Sequence, residues 1–286
     1  MWTLFEPVHT VTYFSVESLS AFTDAGLRGF WRGYFAGRAA PLGRVGAAPV
    51  TASFFNFAPG MVSRALPGVW ELITPEDALA VRSAGAVAAL RRLLGDGAGG
   101  IGPAADMLLR AAEHADCSGR VLAAANAALP APSEPAARLW HAVTLLREHR
   151  GDGHFAALAA ADIDGCEVLV LRAAAGAGPP REQIQPLRGW TGDDWDQASA
   201  RLTDRGWLDA GGAVTGDGTA ARQAVEDATD RAAARPWARL GAAGTEELAE
   251  LLGPVAQACA AEVPSLNPVG VPAPAVSAAP PDGTRA

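Results

Sequence analysis

The chain has 286 residues, 49% of them apolar, and a formal charge of -8. That is enough apolar material for one large core or two ordinary ones, and it leaves no overall positive field to recommend nucleic acid or an anionic membrane as partner. All 23 basic residues are arginine, which excludes a Schiff-base lysine, a P-loop lysine and a Ser-Lys dyad.

The N-terminal stretch "MWTLFEPVHTVTYF" has no basic start and is interrupted by Glu6 and Pro7, so it does not read as a signal peptide. Helix signals begin at about 27–38 ("LRGFWRGYFAGR"), and the aromatic stretch "TASFFNFAPGMV" that follows reads as core. Asn56 stands out within it, because an amide among Phe54, Phe55 and Phe57 needs a partner. The segment "TPEDALAVRSAGAVAALRRLLGDG" carries a full set of boundary signals. These are Thr74 as N-cap, Pro75 at the first position, acids in the first turn, arginines near the end and Gly95 as stop. Further helices are expected at about 103–115, 119–128, 134–150, 154–161, 165–175, 192–205, 217–234 and 245–261. Between 150 and 154 the run Gly151-Asp152-Gly153 predicts a sharp turn. Gly211-Gly212, flanked by Trp207-Leu208 and Ala213-Val214, predicts a two-residue β-hairpin. From about 264 to 286 the Pro, Ala and Ser content predicts a disordered tail. No apolar run approaches the roughly 20 residues of a membrane span. Cys117, Cys166 and Cys259 are odd in number and widely spaced, which suits buried thiols in a reducing cytoplasm.

Two segments align: "FWRGYFAGRAAPLG" with "LWHAVTLLREHRGDG", placing Trp31 on Trp140 and Arg38 on Arg147. "AADMLLRAAEHAD" similarly matches "AARQAVEDATD", and the "TPED" helix start matches "TGDD". This predicts an internal duplication, with a first unit over 1–130 and a second over 131–263.

In the second unit the order helix, helix, Thr191-capped helix, Gly-Gly hairpin, long helix is that of a winged helix-turn-helix. The run "RLTDRGWLDAGGAVTGDGTAARQAVEDATD" resembles the MarR-type regulators. Gly206-Trp207-Leu208 stands where their recognition helix ends, and Val214-Thr215-Gly216-Asp217-Gly218 stands after their wing. More of the chain resembles a little-characterised actinobacterial family with a divergent helix-turn-helix domain, through "PVHTVTYF", "GFWRGYFAGRAAPLG", "LREHRGDGH", "LRGW" and "EDATDRAAARPWARLG" over about residues 5–270. The resemblance implies a mainly α fold of two fused winged helix-turn-helix units with small β-hairpin wings. As a DNA reader the chain is handicapped: Asp193, Asp194 and Asp196 open the recognition helix, where carboxylates repel phosphate, and the wing from Asp209 to Asp217 carries no cation.

Functional chemistry concentrates in "LLREHRGDGH", residues 145–154. A catalytic site would use His149 or His154 as acid/base, oriented by Glu148 or Asp152. A divalent metal would take His149, His154 and one of those carboxylates, with His9 or Tyr13 as outside ligands. An anion site would use Arg147 and Arg150 as forked donors. A structural alternative is an ion-pair network at a helix end. His141 lies seven residues before Glu148, about 10 Å along the helix, too far to share a metal with it. A cleft between the units would add Tyr34, Arg38, Asn56 and His141 as ligand contacts. The expected function is a cytoplasmic small-molecule- or metal-binding protein, or an enzyme, on a tandem winged-helix scaffold. The alternative is a MarR-like DNA-binding regulator with a ligand pocket, and a homodimer stays open.

Overall fold

The computed structural model describes residues 1–265 and Asn267; the rest of the tail expected to be disordered lies outside the described residues. The helices in chain order are α1 (Trp2–Phe14), α2 (Val16–Asp24), α3 (Phe30–Ala39), α4 (Ala47–Phe54), α5 (Pro59–Ser63), α6 (Pro75–Leu94) and α7 (Gly102–Ala112). They continue with α8 (Val121–Ala127), α9 (Pro135–Ala160), α10 (Glu167–Ala174), α11 (Arg181–Arg188), α12 (Gly192–Asp204), α13 (Gly216–Ala233) and α14 (Arg235–Ala260).

Local capping chemistry sets several of these ends. Thr74 accepts a hydrogen bond from the Asp77 amide (3.1 Å) at the start of α6, and Gly95 ends it with φ 51°. Thr191 and Asp194 form a reciprocal capping box at the start of α12. Helix α14 is kinked at Gly241, whose φ of 69° is not helical. The N-terminal stretch that Glu6 and Pro7 interrupt in sequence is helix α1. Pro7 removes only one backbone bond, and burial of Phe5, Val8 and Val11 holds the helix through it.

The β-hairpin wings are not present. Among the described residues there is no strand or sheet, and the expected wing is reduced to one isolated antiparallel bridge, Leu208 to Val214. The Asp209 carboxylate accepts from the Gly211 (2.8 Å) and Ala213 (2.9 Å) amides, closing a side-chain-capped turn where a two-residue hairpin was expected. Both flanks enter helices at once, so no ladder can extend. The mainly α part of the expectation stands.

Helix α9 is the axis of the molecule. At 26 residues it is about 39 Å long, and it packs against α1, α6, α7, α8 and α13. One core joins its Leu139, Trp140, Val143 and Leu146 to Phe5 and Val8 of α1, Leu90 of α6, Leu108 of α7 and Leu248 and Leu252 of α14. This core runs across the expected unit boundary at 130/131. A second, aromatic core centres on Phe35, Phe54, Phe57 and Trp70, and a third on Leu158, Leu171, Trp195, Leu202 and Val225.

Candidate functional site

The sequence places charge on α9 between Arg147 and His154, and burial explains what that charge does. Leu145, Leu146, Glu148, His149, Asp152 and Gly153 are all buried, and only the face carrying Arg147, Arg150, Gly151 and His154 is half-buried, so this stretch of the helix has no fully exposed side. The expected turn at 151–153 does not exist; the helix runs straight through. Gly153 serves close approach instead of bending, since a Cβ there would lie 2.4 Å from Arg120 Nη1. Through that gap the Arg120 guanidinium donates to the His149 carbonyl and, at 2.9 Å, to the Ala232 carbonyl, tying α9 to α13.

Because the helix is continuous, its polar side chains radiate around it. Glu148 turns to α3. Asp152 accepts from the Ala123 amide of α8 (2.9 Å), and His154 meets Thr229 of α13 (2.9 Å). His149 is buried beside Arg120. In this structure His149, Asp152 and His154 therefore do not converge on one point: Asp152 goes to α8, His154 to α13 and His149 lies beside Arg120. Among the described residues no three His, Cys, Asp or Glu side chains are grouped to hold a metal ion. His141, half-buried near Arg82, also stays apart from this cluster.

What the fold assembles is a buried ion network. Arg38 Nε and Nη2 donate to the two oxygens of Glu148 at 2.9 and 3.0 Å, a forked pair with both side chains almost wholly buried. Arg147 donates to Glu148 Oε2 (3.0 Å), and Arg38 also donates to the Tyr34 hydroxyl (3.2 Å). Burial alone would raise the Glu148 carboxyl, but Arg38 and Arg147 outweigh it and hold it well below the usual carboxylate range. His9 bridges Thr144 (3.1 Å) and Tyr13 (3.0 Å), and burial keeps it neutral well below its ordinary pKa. Glu6, from α1, stands 3.7 Å from Arg147, beyond hydrogen-bond reach, and its Oε2 is buried without a hydrogen-bond partner. Burial raises its carboxyl to about 7, with Arg147 pulling the other way.

Beside this network a cavity of about 370 Å³ opens between α1, α9, α10 and α13. Of the expected ligand contacts, Asn56, Arg147, Arg150 and His154 line it; Tyr34, Arg38 and His141 do not. Its wall is apolar at Phe155, Leu158, Leu171 and Val225. Arg172, Arg222 and Glu226 complete the polar rim. Arg150 is neutralised by Glu226 (3.4 Å) and Asp230 (3.1 Å) and lies 4.8 Å from the Trp2 ring centre. His154 donates from Nδ1 to Thr229, whose hydroxyl is given to the Val225 carbonyl (2.8 Å), an assignment made from the network that leaves Nε2 as acceptor. Sequence reasoning missed Glu6 and Arg172. The only signal for Glu6 was a carboxylate within an otherwise apolar segment.

A helix-turn-helix family profile matches residues 1–265, nearly the whole chain. The chain belongs to that family. No curated protein and no solved structure matches it. Within this helix-turn-helix protein, α11 and α12 are joined by Gly189-Trp190-Thr191, with Gly189 at φ 78°. That turn docks on the aromatic segment: the Ala58 amide donates to the Arg188 carbonyl (2.9 Å) and the Trp190 indole to the Asn56 carbonyl (3.1 Å). The backbone of Asn56, more than its amide, is thus the structural contact. Asp193, Asp196 and Asp204 are exposed on α12, as are Asp209 and Asp217 beyond it. The neighbouring arginines are held internally. Arg201 pairs with Glu167 (2.7 Å) and Asp164 (2.5 Å), Arg205 with Glu167 (3.2 Å), and Arg181 with Asp196 (2.7 Å).

Proposed function

We propose that this helix-turn-helix protein binds a small organic molecule in the cavity between α1, α9, α10 and α13. The single observation behind the reading is the cavity itself: about 370 Å³, within the usual range for ligand sites, with an apolar wall and a few convergent polar groups. In this reading α10 and α13, which flank the helix-turn-helix pair α11 and α12, close one side of a pocket. The exposed carboxylates on α12, with its arginines committed to internal pairs, support a role other than duplex recognition.

The test is a melting-shift screen of diverse organic acids, amides and alcohols against the full chain and a Val225→Trp variant that fills the cavity. Compounds that raise the melting temperature of the wild type are expected to have no effect on the variant. Equal shifts in both proteins would place binding elsewhere.

A second reading, a DNA-binding regulator, is favoured by the intact α11–turn–α12 arrangement and by family membership. Titration of labelled random and genomic duplexes at low salt separates the two. Saturable, salt-sensitive binding lost on Gln197→Glu, an exposed α12 change, would favour the regulator.

A further inference from the structure

The cavity has four arginines on its lining, and they are not equivalent. Arg147 is bonded to Glu148, and Arg150 to Glu226 and Asp230. Arg172 of α10 and Arg222 of α13 are both half-buried, and neither has a carboxylate within ion-pair distance among the described residues. The one hydrogen bond of the Arg172 side chain among the described residues is a long one to the Ala177 carbonyl (3.5 Å). Arg222 has none there. Burial disfavours the charged Arg172 most, and the two guanidinium groups lining one cavity, neither paired directly with a carboxylate among the described residues, also repel each other, with Glu226 pulling the other way on Arg172. Glu226, one helical turn after Arg222, is engaged by Arg150.

We propose that Arg172 and Arg222 form the anion-reading end of this cavity, and that its ligand is an organic anion, a carboxylate or phosphate monoester, carrying an apolar body. The proposal rests on the cavity being a ligand site. Arginine suits the role because its planar fork can donate two parallel hydrogen bonds to one carboxylate or phosphate. In this proposal the ligand body lies against Phe155, Leu158, Leu171 and Val225 while its charge meets Arg172 and Arg222, so one pocket reads both charge and apolar surface. The anion of the ligand supplies the direct carboxylate or phosphate pairing that neither Arg172 nor Arg222 has among the described residues.

The experiment uses the full chain and matched pairs of probes: 2-naphthoate with 2-naphthamide, and naphthyl phosphate with naphthol. Binding is measured by calorimetry to the wild type, Arg172→Gln, Arg222→Gln and, as control, Arg231→Gln, an exposed arginine of α13 outside the cavity lining. Each anion is expected to bind the wild type at least tenfold more tightly than its neutral partner. That preference falls below twofold in both cavity variants and persists in Arg231→Gln. The unliganded cavity variants are expected to melt at or above the wild-type temperature, because an unpaired charge has been removed. If Arg172→Gln does not fold, Arg222→Gln alone decides the point. Equal binding of anion and amide, blocked by Val225→Trp, would overturn the anion clamp and leave the pocket standing. Absence of binding by all four probes up to millimolar concentration would overturn both. The relative strength of carboxylate and phosphate distinguishes the two anion sources.

Discussion

Glu6 and Glu148 show how position alone separates two identical side chains. Both are buried and both are near Arg147, yet Glu148 receives a forked pair from Arg38 and stays ionised, whereas Glu6 is left 3.7 Å from its nearest cation. The folded Glu6 carboxyl, raised to about 7 by burial against the pull of Arg147, holds a proton that the unfolded chain releases near 4.5. Its contribution is therefore fully present below about 4.5 and is lost as pH rises through 7. Glu6→Gln is expected to be more stable than the wild type by about 1–3 kcal/mol at pH 8, the gap closing below pH 4.5. Urea titrations of both proteins across that range check it; a gap that does not change with pH would show that Glu6 is not protonated in the fold. Residue identity was legible in the sequence, and so was the polar character of 147–154. The pairing was not. Arg38 and Glu148 are 110 positions apart, and nothing local in either segment announces the other.

At the scale of elements, glycine does two different jobs that look alike in sequence. Gly95 and Gly189 take positive φ at helix ends, as a stop signal implies. Gly153 and Gly85 sit inside helices and exist for proximity. A Cβ on Gly85 of α6 would lie 2.7 Å from the Ser18 backbone Cα of α2. Gly85→Ala gains about 1 kcal/mol of helix propensity, but it must push α2 and α6 apart, which costs about 1–3 kcal/mol or more. A net loss of stability is expected, seen as a lower denaturation midpoint with unchanged helical circular dichroism; a rise would mean that α2 yields freely. The Gly151-Asp152-Gly153 run reads as a turn for the same reason. Glycine permits a turn, but the packing of α9 against five other helices, with Arg120 lying over Gly153, selects the helix.

For the whole molecule, α9 makes the two halves of the chain interdependent. The core that contains Phe5, Leu90 and Leu108 is completed by Leu139, Trp140, Leu146, Leu248 and Leu252 from beyond residue 130. A fragment of residues 1–130 would expose that surface and is expected to lack a cooperative thermal transition. Differential scanning calorimetry of the fragment beside the full chain decides it, and a sharp transition near the full-length temperature would show that the first half folds alone. The sequence by itself determined the helical class, the capped ends of α6 and α12, the exclusion of lysine chemistry and the acidic character of α12. Those properties depend on interactions within about one helical turn, which the chain carries wherever it folds. Only the tertiary structure decided that α9 is unbroken, that Glu148 belongs to Arg38, that the histidines stay apart, and that Arg172 and Arg222 face one cavity. Those depend on which distant surfaces pack together, and there burial and close approach override the local preference of Gly-Asp-Gly.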